Sequence, residues 1–231
     1  MVNLLRQSGQ PEHVLKLVPE IVETCTICRE WSKPLPVSIP SAVVASEFNQ
    51  QVEIDLMFYK KHIVCHMVDR CTRWHASIEV DGKLMENLIP AIDKIWVGLH
   101  GPPKELIVDG ETAIVRHWES HIYFDQKGIK VHMRAPNQHA RFIERRGSIL
   151  RDMLHRMDSQ LASESISNIP FAQRLSEMTF AMNALLSIDG TSPYNAVYGR
   201  VPHLLPDINH VSRDTSGTLL GITRHAQRLR E

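Results

Sequence analysis

Apolar and polar positions alternate along three neighbouring segments of the chain, 52–58, 62–69 and 72–80, and the alternation predicts three strands. In the first segment, four apolar side chains share one face: Val52, Ile54, Leu56 and Phe58. Asp55 therefore points to the opposite face. A tight turn joins the second and third segments, so the three strands are predicted to form a meander. Two more short strands are predicted at 105–108 and 130–134.

A helical period of apolar residues predicts helices around these strands. The helical segments are 10–33, 84–100, 111–124, 140–161 and 170–186. Three strands followed by alternating helices and strands favour an α/β fold with a five-stranded mixed sheet flanked by helices. The segment 10–33 adds a small helical N-terminal extension.

Proline spacing and residue type predict where the domains begin and end. Pro34, Pro36 and Pro40 mark a linker over 34–47, after a helical module over 1–33. The main domain is predicted over 48–207, followed by a C-terminal linker over 208–231. The last residues, 224–231, resemble a helix that stops within a turn, so we expect the chain to be a fragment.

Composition narrows the class of protein only slightly. Lysine plus arginine and aspartate plus glutamate balance at 26 each, so any basic surface must be local. No apolar run approaches the length of a membrane span and no signal peptide opens the chain, so we expect no membrane partner. Four cysteines in a chain this long do not predict a disulfide framework. A reducing location, nucleus or cytoplasm, is expected.

Three acidic residues stand in settings that favour a metal site. Asp55 lies within a predicted strand, Asp109 ends another, and Glu144 opens a long helix, with 34 residues between Asp109 and Glu144. Converging carboxylates bind hard divalent cations, and paired cations promote phosphoryl transfer. The alternative is that these are ordinary surface residues. A lone aspartate among strand apolar residues is costly unless it is paired or bound to a cation, which favours the metal site.

The helix that Glu144 opens has a polar ridge outside its apolar arc. Besides Glu144, the ridge contains Arg141, Ser148, Arg151 and His155. It is either a solvated face or a carboxylate flanked by groups that contact DNA phosphates. His139, five residues before Glu144, is a further candidate for contact with DNA.

Five segments, in this order along the chain, resemble the catalytic core of retroelement integrases, the group shared by retroviruses and LTR retrotransposons. They are 52–55, 68–74, 101–110, 140–145 and 191–202. The resemblance implies an RNase H-like fold that binds Mg²⁺ or Mn²⁺ through Asp55, Asp109 and Glu144, with Asp55 bridging two cations. It also implies 3′-end processing of DNA, strand transfer into target DNA, and a dimer or larger homo-oligomer.

The pair Cys25 and Cys28 resembles the end of the zinc module of the same family, which uses two histidines and two cysteines. A structural zinc site needs four ligands, and His13 is the only histidine upstream. Half of a zinc site and two ordinary thiols therefore stay open as alternatives, and we predict no complete zinc site.

The sequence departs from the family pattern between Asp109 and Glu144. The spacing is one residue shorter than in the best-known members, and Glu111 to Ile114 do not match the usual residues after the second aspartate. Two other functions therefore stay open. One is an inactive or repurposed nucleic-acid-binding module with the same fold. The other is a nuclease of the RNase H type, although that class usually has a fourth carboxylate. Asp69 is expected to act in a turn rather than as that ligand.

Overall fold

The computed structural model describes residues 2–27, 45–108, 118–133, 141–187 and 190–202. The chain divides into two compact units. One unit contains the N-terminal helices, and the other, residues 31–201, contains the sheet. Each unit is described by itself.

The N-terminal unit has three short helices, α1 (Val2–Gln7), α2 (Glu12–Leu15) and α3 (Val18–Thr24). The prediction of one continuous helix from residue 10 was therefore wrong over the described part. Pro11 caps α2 and Pro19 lies in the first turn of α3, because proline suits a helix start and disrupts a helix interior.

The second unit is built on a five-stranded mixed sheet with the order β3-β2-β1-β4-β5. The strands are β1 (Gln51–Tyr59), β2 (His62–Asp69), β3 (His75–Val80), β4 (Glu105–Val108) and β5 (Lys130–Met133). The first three strands pair antiparallel, and β1–β4 and β4–β5 pair parallel. The meander and the mixed sheet were predicted correctly.

Strand β3 begins three residues later than predicted because a turn occupies the residues before it. Arg73 takes a left-handed conformation with φ +63°. Asp69, which is fully buried, closes the turn by accepting hydrogen bonds from the Asn49 and Thr72 backbone N–H groups at 2.9 and 2.6 Å. The predicted turn role of Asp69 is confirmed.

Helices cover both faces of the sheet. They are α4 (Met85–Ile92), α5 (Trp118–Gln126), α6 (Arg141–Ser163), α7 (Phe171–Leu185) and α8 (Pro193–Tyr198). A π-helical turn, Asp93–Val97, and a last helical turn, Gly98–His100, continue α4 to the predicted end. The structure thus confirms the predicted α/β fold with helices around a five-stranded sheet.

The alternation along β1 assigns its side chains to two cores. Val52 and Ile54 join the cluster beneath α4 and α5, whereas Met57 and Tyr59 join the cluster beneath α6 and α7. By the same alternation, Glu53 and Asp55 belong to the face that α6 covers. The polar residues of β1 therefore lie next to the helix that carries Glu144.

Candidate active site at the start of the long helix

Asp55 lies in β1, the central strand, on the face covered by α6. Its carboxylate is partly buried, and Oδ1 accepts a hydrogen bond from the Leu56 backbone N–H at 2.8 Å. Its cross-strand partner is His66 of β2, which is buried. Asp55 therefore combines a fixed backbone position with a carboxylate that solvent can reach.

The predicted second carboxylate, Asp109, lies outside the described residues. The last described residue of β4, Val108, pairs with Ile54, the residue immediately before Asp55. The described part of β4 thus ends beside the β1 segment that carries Asp55. Position 139 also lies outside the described residues, so the predicted contact of His139 with DNA stays a prediction.

Glu144 lies in the first turn of α6 and its side chain is exposed. The residue before it, Ile143, donates its backbone N–H to Glu53 Oε2 at 3.0 Å. Glu53 precedes Asp55 by two positions on the same strand face. One hydrogen bond therefore joins the helix start that carries Glu144 to the strand segment that carries Asp55.

A second set of contacts holds α6 against the far end of β1. The Tyr59 hydroxyl donates to Asp158 Oδ2 at 2.8 Å and lies 3.5 Å from His155 Nδ1. The helix therefore runs in the same direction as the strand. From Glu53 to Tyr59, six strand residues advance about 20 Å. From Ile143 to His155, twelve helical residues advance about 18 Å, so the helix and the strand advance by similar distances.

This alignment places Glu144 about one helical turn before the level of Asp55 along the strand. Asp55 lies about 7 Å beyond Glu53, which corresponds to about five helical residues after Ile143. A Cβ built on Gly147 would lie 3.0 Å from Cε1 of His66, the cross-strand partner of Asp55. Glu144 is one helical turn before Gly147. Asp55 and Glu144 thus belong to one region of the molecule.

Glu53 is a functional candidate that the sequence analysis missed. Its side chain is 2 % exposed, and Arg70 Nε lies 3.4 Å from Oε1. Arg70 is itself held by Gln51, whose Oε1 accepts a hydrogen bond from the guanidinium at 2.9 Å. The period of two along β1 places Glu53 on the same face as Asp55, and that signal was available in the sequence.

One predicted DNA-contacting residue, Arg151, has an electrostatic effect on this region. Burial lowers the pKa of His66 to about 3, and the positive charge of Arg151 contributes to the shift. Arg151 is exposed, and His66 is the cross-strand partner of Asp55. Ser148 is partly buried one turn earlier, and Arg141 forms the first residue of α6.

The donor set suits hard cations, although the predicted site is only partly described. Asp55 and Glu144 offer carboxylate oxygens, the ligands that Mg²⁺ and Mn²⁺ prefer. Among the described residues, no group of three or more histidine, cysteine or acidic side chains lies close enough to hold a metal ion. The third predicted ligand, Asp109, is outside that set.

The predicted partial zinc site is likewise only half described. Cys25 follows the last residue of α3, and Cys28 lies outside the described residues. His13 lies in α2 with an exposed side chain. Zinc binding by this pair stays untested.

The fold defined above is that of retroviral integrase catalytic cores, an RNase H-like fold. The chain is similar to the magnesium complex of the HTLV-2 integrase catalytic core domain in its dimeric form, with a TM-score of 0.55 and 17 % identity over 66 % of this chain and 97 % of that one. The trimeric form of the same complex gives a TM-score of 0.52 and 17 % identity, over 64 % of this chain and 95 % of that one.

The chain is also similar in structure to the integrase of a larger assembly, and that match covers more of this chain. The simian T-cell lymphotropic virus intasome, in complex with PP2A regulatory subunit B56 gamma, matches with a TM-score of 0.58 and 17 % identity, over 89 % of this chain and 76 % of that one. No protein-family model and no curated protein matches the sequence. At this identity the similarity establishes the fold, as the sequence analysis predicted.

One further property concerns membranes. In the part of the chain that the structure describes, no helix combines the length and the apolar character needed to cross a bilayer.

Proposed function

We propose that this chain is the catalytic core of a retroelement integrase, which trims the 3′ ends of DNA and joins them to target DNA. The observation that carries the proposal is the hydrogen bond from the Ile143 N–H to Glu53, because it joins the helix start that carries Glu144 to the strand segment that carries Asp55. Because the fold is that of integrase catalytic cores, we assign a catalytic role to this pair of carboxylates.

Under this proposal, Asp55, Asp109 and Glu144 hold two Mg²⁺ or Mn²⁺ ions. When bound, such ions activate the attacking oxygen and stabilise the leaving oxygen of a phosphoryl transfer. The protein contributes the fixed positions of the carboxylates: the central strand holds Asp55 and the anchored start of α6 holds Glu144. The magnesium complex of the HTLV-2 core supports the choice of cation.

DNA is the proposed partner of the polar ridge on α6. Arg151 supports this role because its charge acts on His66, the cross-strand partner of Asp55, and arginine side chains commonly contact DNA phosphates. Arg141, Ser148 and His139 complete the proposed set of contacts with DNA.

A homo-oligomer in a reducing compartment, nucleus or cytoplasm, is part of the same proposal. The HTLV-2 core has dimeric and trimeric forms, and the simian virus protein forms an intasome. Joining two DNA ends requires at least two copies, which supports an oligomer here. Sedimentation velocity of the full chain with and without DNA ends tests this part.

Metal binding tests the site before any activity is assayed. Titration calorimetry with Mg²⁺ and Mn²⁺ would compare the wild type with Asp55→Asn, and Asp125→Asn, an exposed carboxylate on α5, serves as the matched control. We expect Asp55→Asn to weaken binding at least tenfold and Asp125→Asn to leave it unchanged. Equal binding by all three proteins would refute the metal site.

Strand transfer tests the reaction. Asp55→Asn, Asp109→Asn and Glu144→Gln should each abolish metal-dependent joining of an oligonucleotide end while leaving the circular dichroism spectrum unchanged. Joining by all three variants would contradict the assignment. DNA binding without metal binding by the wild type would favour the nucleic-acid-binding module. Preferential cleavage of RNA–DNA hybrids would favour the RNase H type.

A further inference from the structure

Beside the start of α6, a cleft of about 340 Å³ is lined by three arginines. Arg73 comes from the turn before β3, and Arg145 and Arg146 come from the first two turns of α6. The remaining wall is mainly apolar and includes Phe142, Ile149 and Leu186. The cleft therefore places three positive charges beside an apolar wall. Charge–charge interactions are stronger in such a low-dielectric environment, which favours the binding of an anion.

Arg146 is the buried member of the three, and one of its nitrogens has no partner among the described residues. It is only 5 % exposed, and no described residue supplies a hydrogen-bond partner for its Nη1. Burying a guanidinium that is not paired with a carboxylate costs free energy. A ligand with negative charge would therefore stabilise Arg146 in this position.

The other two arginines are placed to complete such a site. The guanidinium of Arg73 lies 3.6 Å from the centre of the Phe142 ring and donates a hydrogen bond to the Arg70 carbonyl. These contacts hold the guanidinium against the Phe142 ring, which also lines the cleft. Arg145 is exposed and follows Glu144 directly. One arginine is thus buried, one is held against an aromatic ring, and one reaches solvent.

We propose that this cleft binds a phosphate group of a DNA strand, with Arg146 as its central ligand. A phosphate offers several acceptor oxygens to converging guanidinium groups, so it suits three arginines better than a single carboxylate does. The choice of DNA as the source rests on the proposed function, because the cleft shares the first two turns of α6 with Glu144. The cleft thus adds an anchoring point for the DNA backbone beside the reacting site.

DNA binding without metal gives the first test. Fluorescence anisotropy of a duplex oligonucleotide in EDTA, over a series of salt concentrations, would compare the wild type, Arg146→Met and Arg200→Met. Arg200 is exposed and lies outside the cleft, so it controls for the loss of one charge. We expect Arg146→Met to bind about tenfold more weakly with a salt slope smaller by about one, and Arg200→Met to bind like the wild type.

Thermal unfolding in inorganic phosphate gives the second test, because it separates a binding role from a structural one. Phosphate should raise the Tm of the wild type and of Arg200→Met but not that of Arg146→Met. Without phosphate, Arg146→Met should be at least as stable as the wild type, since it removes a buried charge whose Nη1 has no partner among the described residues.

The outcomes are distinct. Unchanged DNA affinity together with an equal phosphate response in all three proteins would overturn the site. A phosphate response that Arg146→Met loses, with unchanged DNA affinity, would overturn DNA as the source and leave free phosphate. Because both assays exclude divalent metal, their failure would not affect the metal and strand-transfer tests, and failure of those tests would not affect this one.

Discussion

At the scale of single residues, Glu53 shows how one buried carboxylate can position a helix. The first N–H groups of a helix lack partners within the helix, and a negative charge nearby is favourable. Glu53 accepts one of these groups, from Ile143, and Arg70 balances its charge. The side chain therefore acts on the site through the backbone of α6 and not by contact with a substrate.

Replacing Glu53 should destabilise the fold more when the new side chain keeps fewer of the contacts that its carboxylate makes. Glu53→Gln keeps an acceptor for the Ile143 N–H and should cost about 1 kcal/mol, whereas Glu53→Leu leaves that N–H and Arg70 without their partner and should cost about 3 kcal/mol. Urea unfolding measures both. Glu86→Gln, at an exposed position of α4, should be neutral. A Glu53→Leu protein as stable as the wild type would rule out the positioning role.

Asp158 contributes a pH-dependent contact at the other end of the same helix. Burial by itself would raise the pKa of Asp158, but hydrogen bonds from Lys60, Tyr59 and Arg174 hold it below its usual value of 3.8. The folded state therefore favours the ionised carboxylate. Its contribution to stability is present above pH 3.8 and is lost as the pH falls toward the lowered pKa.

Asp158→Asn should therefore be less stable than the wild type at pH 6, and the difference should shrink near pH 3. Urea unfolding at both pH values measures it. Asp125→Asn, at an exposed site on α5, should show a small difference that does not change with pH. A pH-independent loss in Asp158→Asn would contradict the shift in its pKa.

At the scale of elements, α6 lies close against the sheet where Gly147 faces His66. A Cβ on Gly147 would come within 3.0 Å of the imidazole, which is buried and lies 3.1 Å from a ring nitrogen of His75. The ring therefore has little room to move. The glycine permits a close contact that any larger residue would widen.

Gly147→Ala should destabilise the protein by about 1 kcal/mol, because the strain of overpacking exceeds the gain in helix propensity. Thermal or urea unfolding measures the change. In the background of His66→Ala, where the ring is absent, the same substitution should become neutral or stabilising. Equal effects in both backgrounds would show that the close contact costs nothing.

The elements also show which features can be predicted from local sequence. The first three strands follow from alternation, and Asp55 and Glu144 were singled out because each stands in a recognisable local setting. The link between them was not found, since the contact from Ile143 to Glu53 joins residues 90 positions apart and leaves no local pattern. The start of β3 was misplaced because Arg73 adopts a left-handed turn that non-glycine residues rarely take.

At the scale of the whole molecule, the apolar clusters of the described residues all draw their members from 48–186. The N-terminal helices contribute none of those members, and Ile21 is 61 % exposed. The unit that contains the sheet thus has its own core on both faces of the sheet.

Removing residues 1–27 should therefore leave the unfolding of the sheet unit nearly unchanged. We expect a change in Tm within about 4 °C, which corresponds to less than about 1 kcal/mol for a unit of this size, and a retained cooperative transition. Differential scanning calorimetry measures both quantities. A loss of the cooperative transition would show that the N-terminal helices are needed to complete the core.

Anchoring of α6 at both of its ends has a consequence for how the chain tolerates insertions and deletions. The helix is held along β1 by Glu53 near its first turn and by Tyr59 near its fifth. Since both contacts come from β1, we expect an insertion or deletion between β5 and α6 to leave Glu144 in place. Under the proposed function, the number of residues between Asp109 and Glu144 could therefore vary without loss of the site.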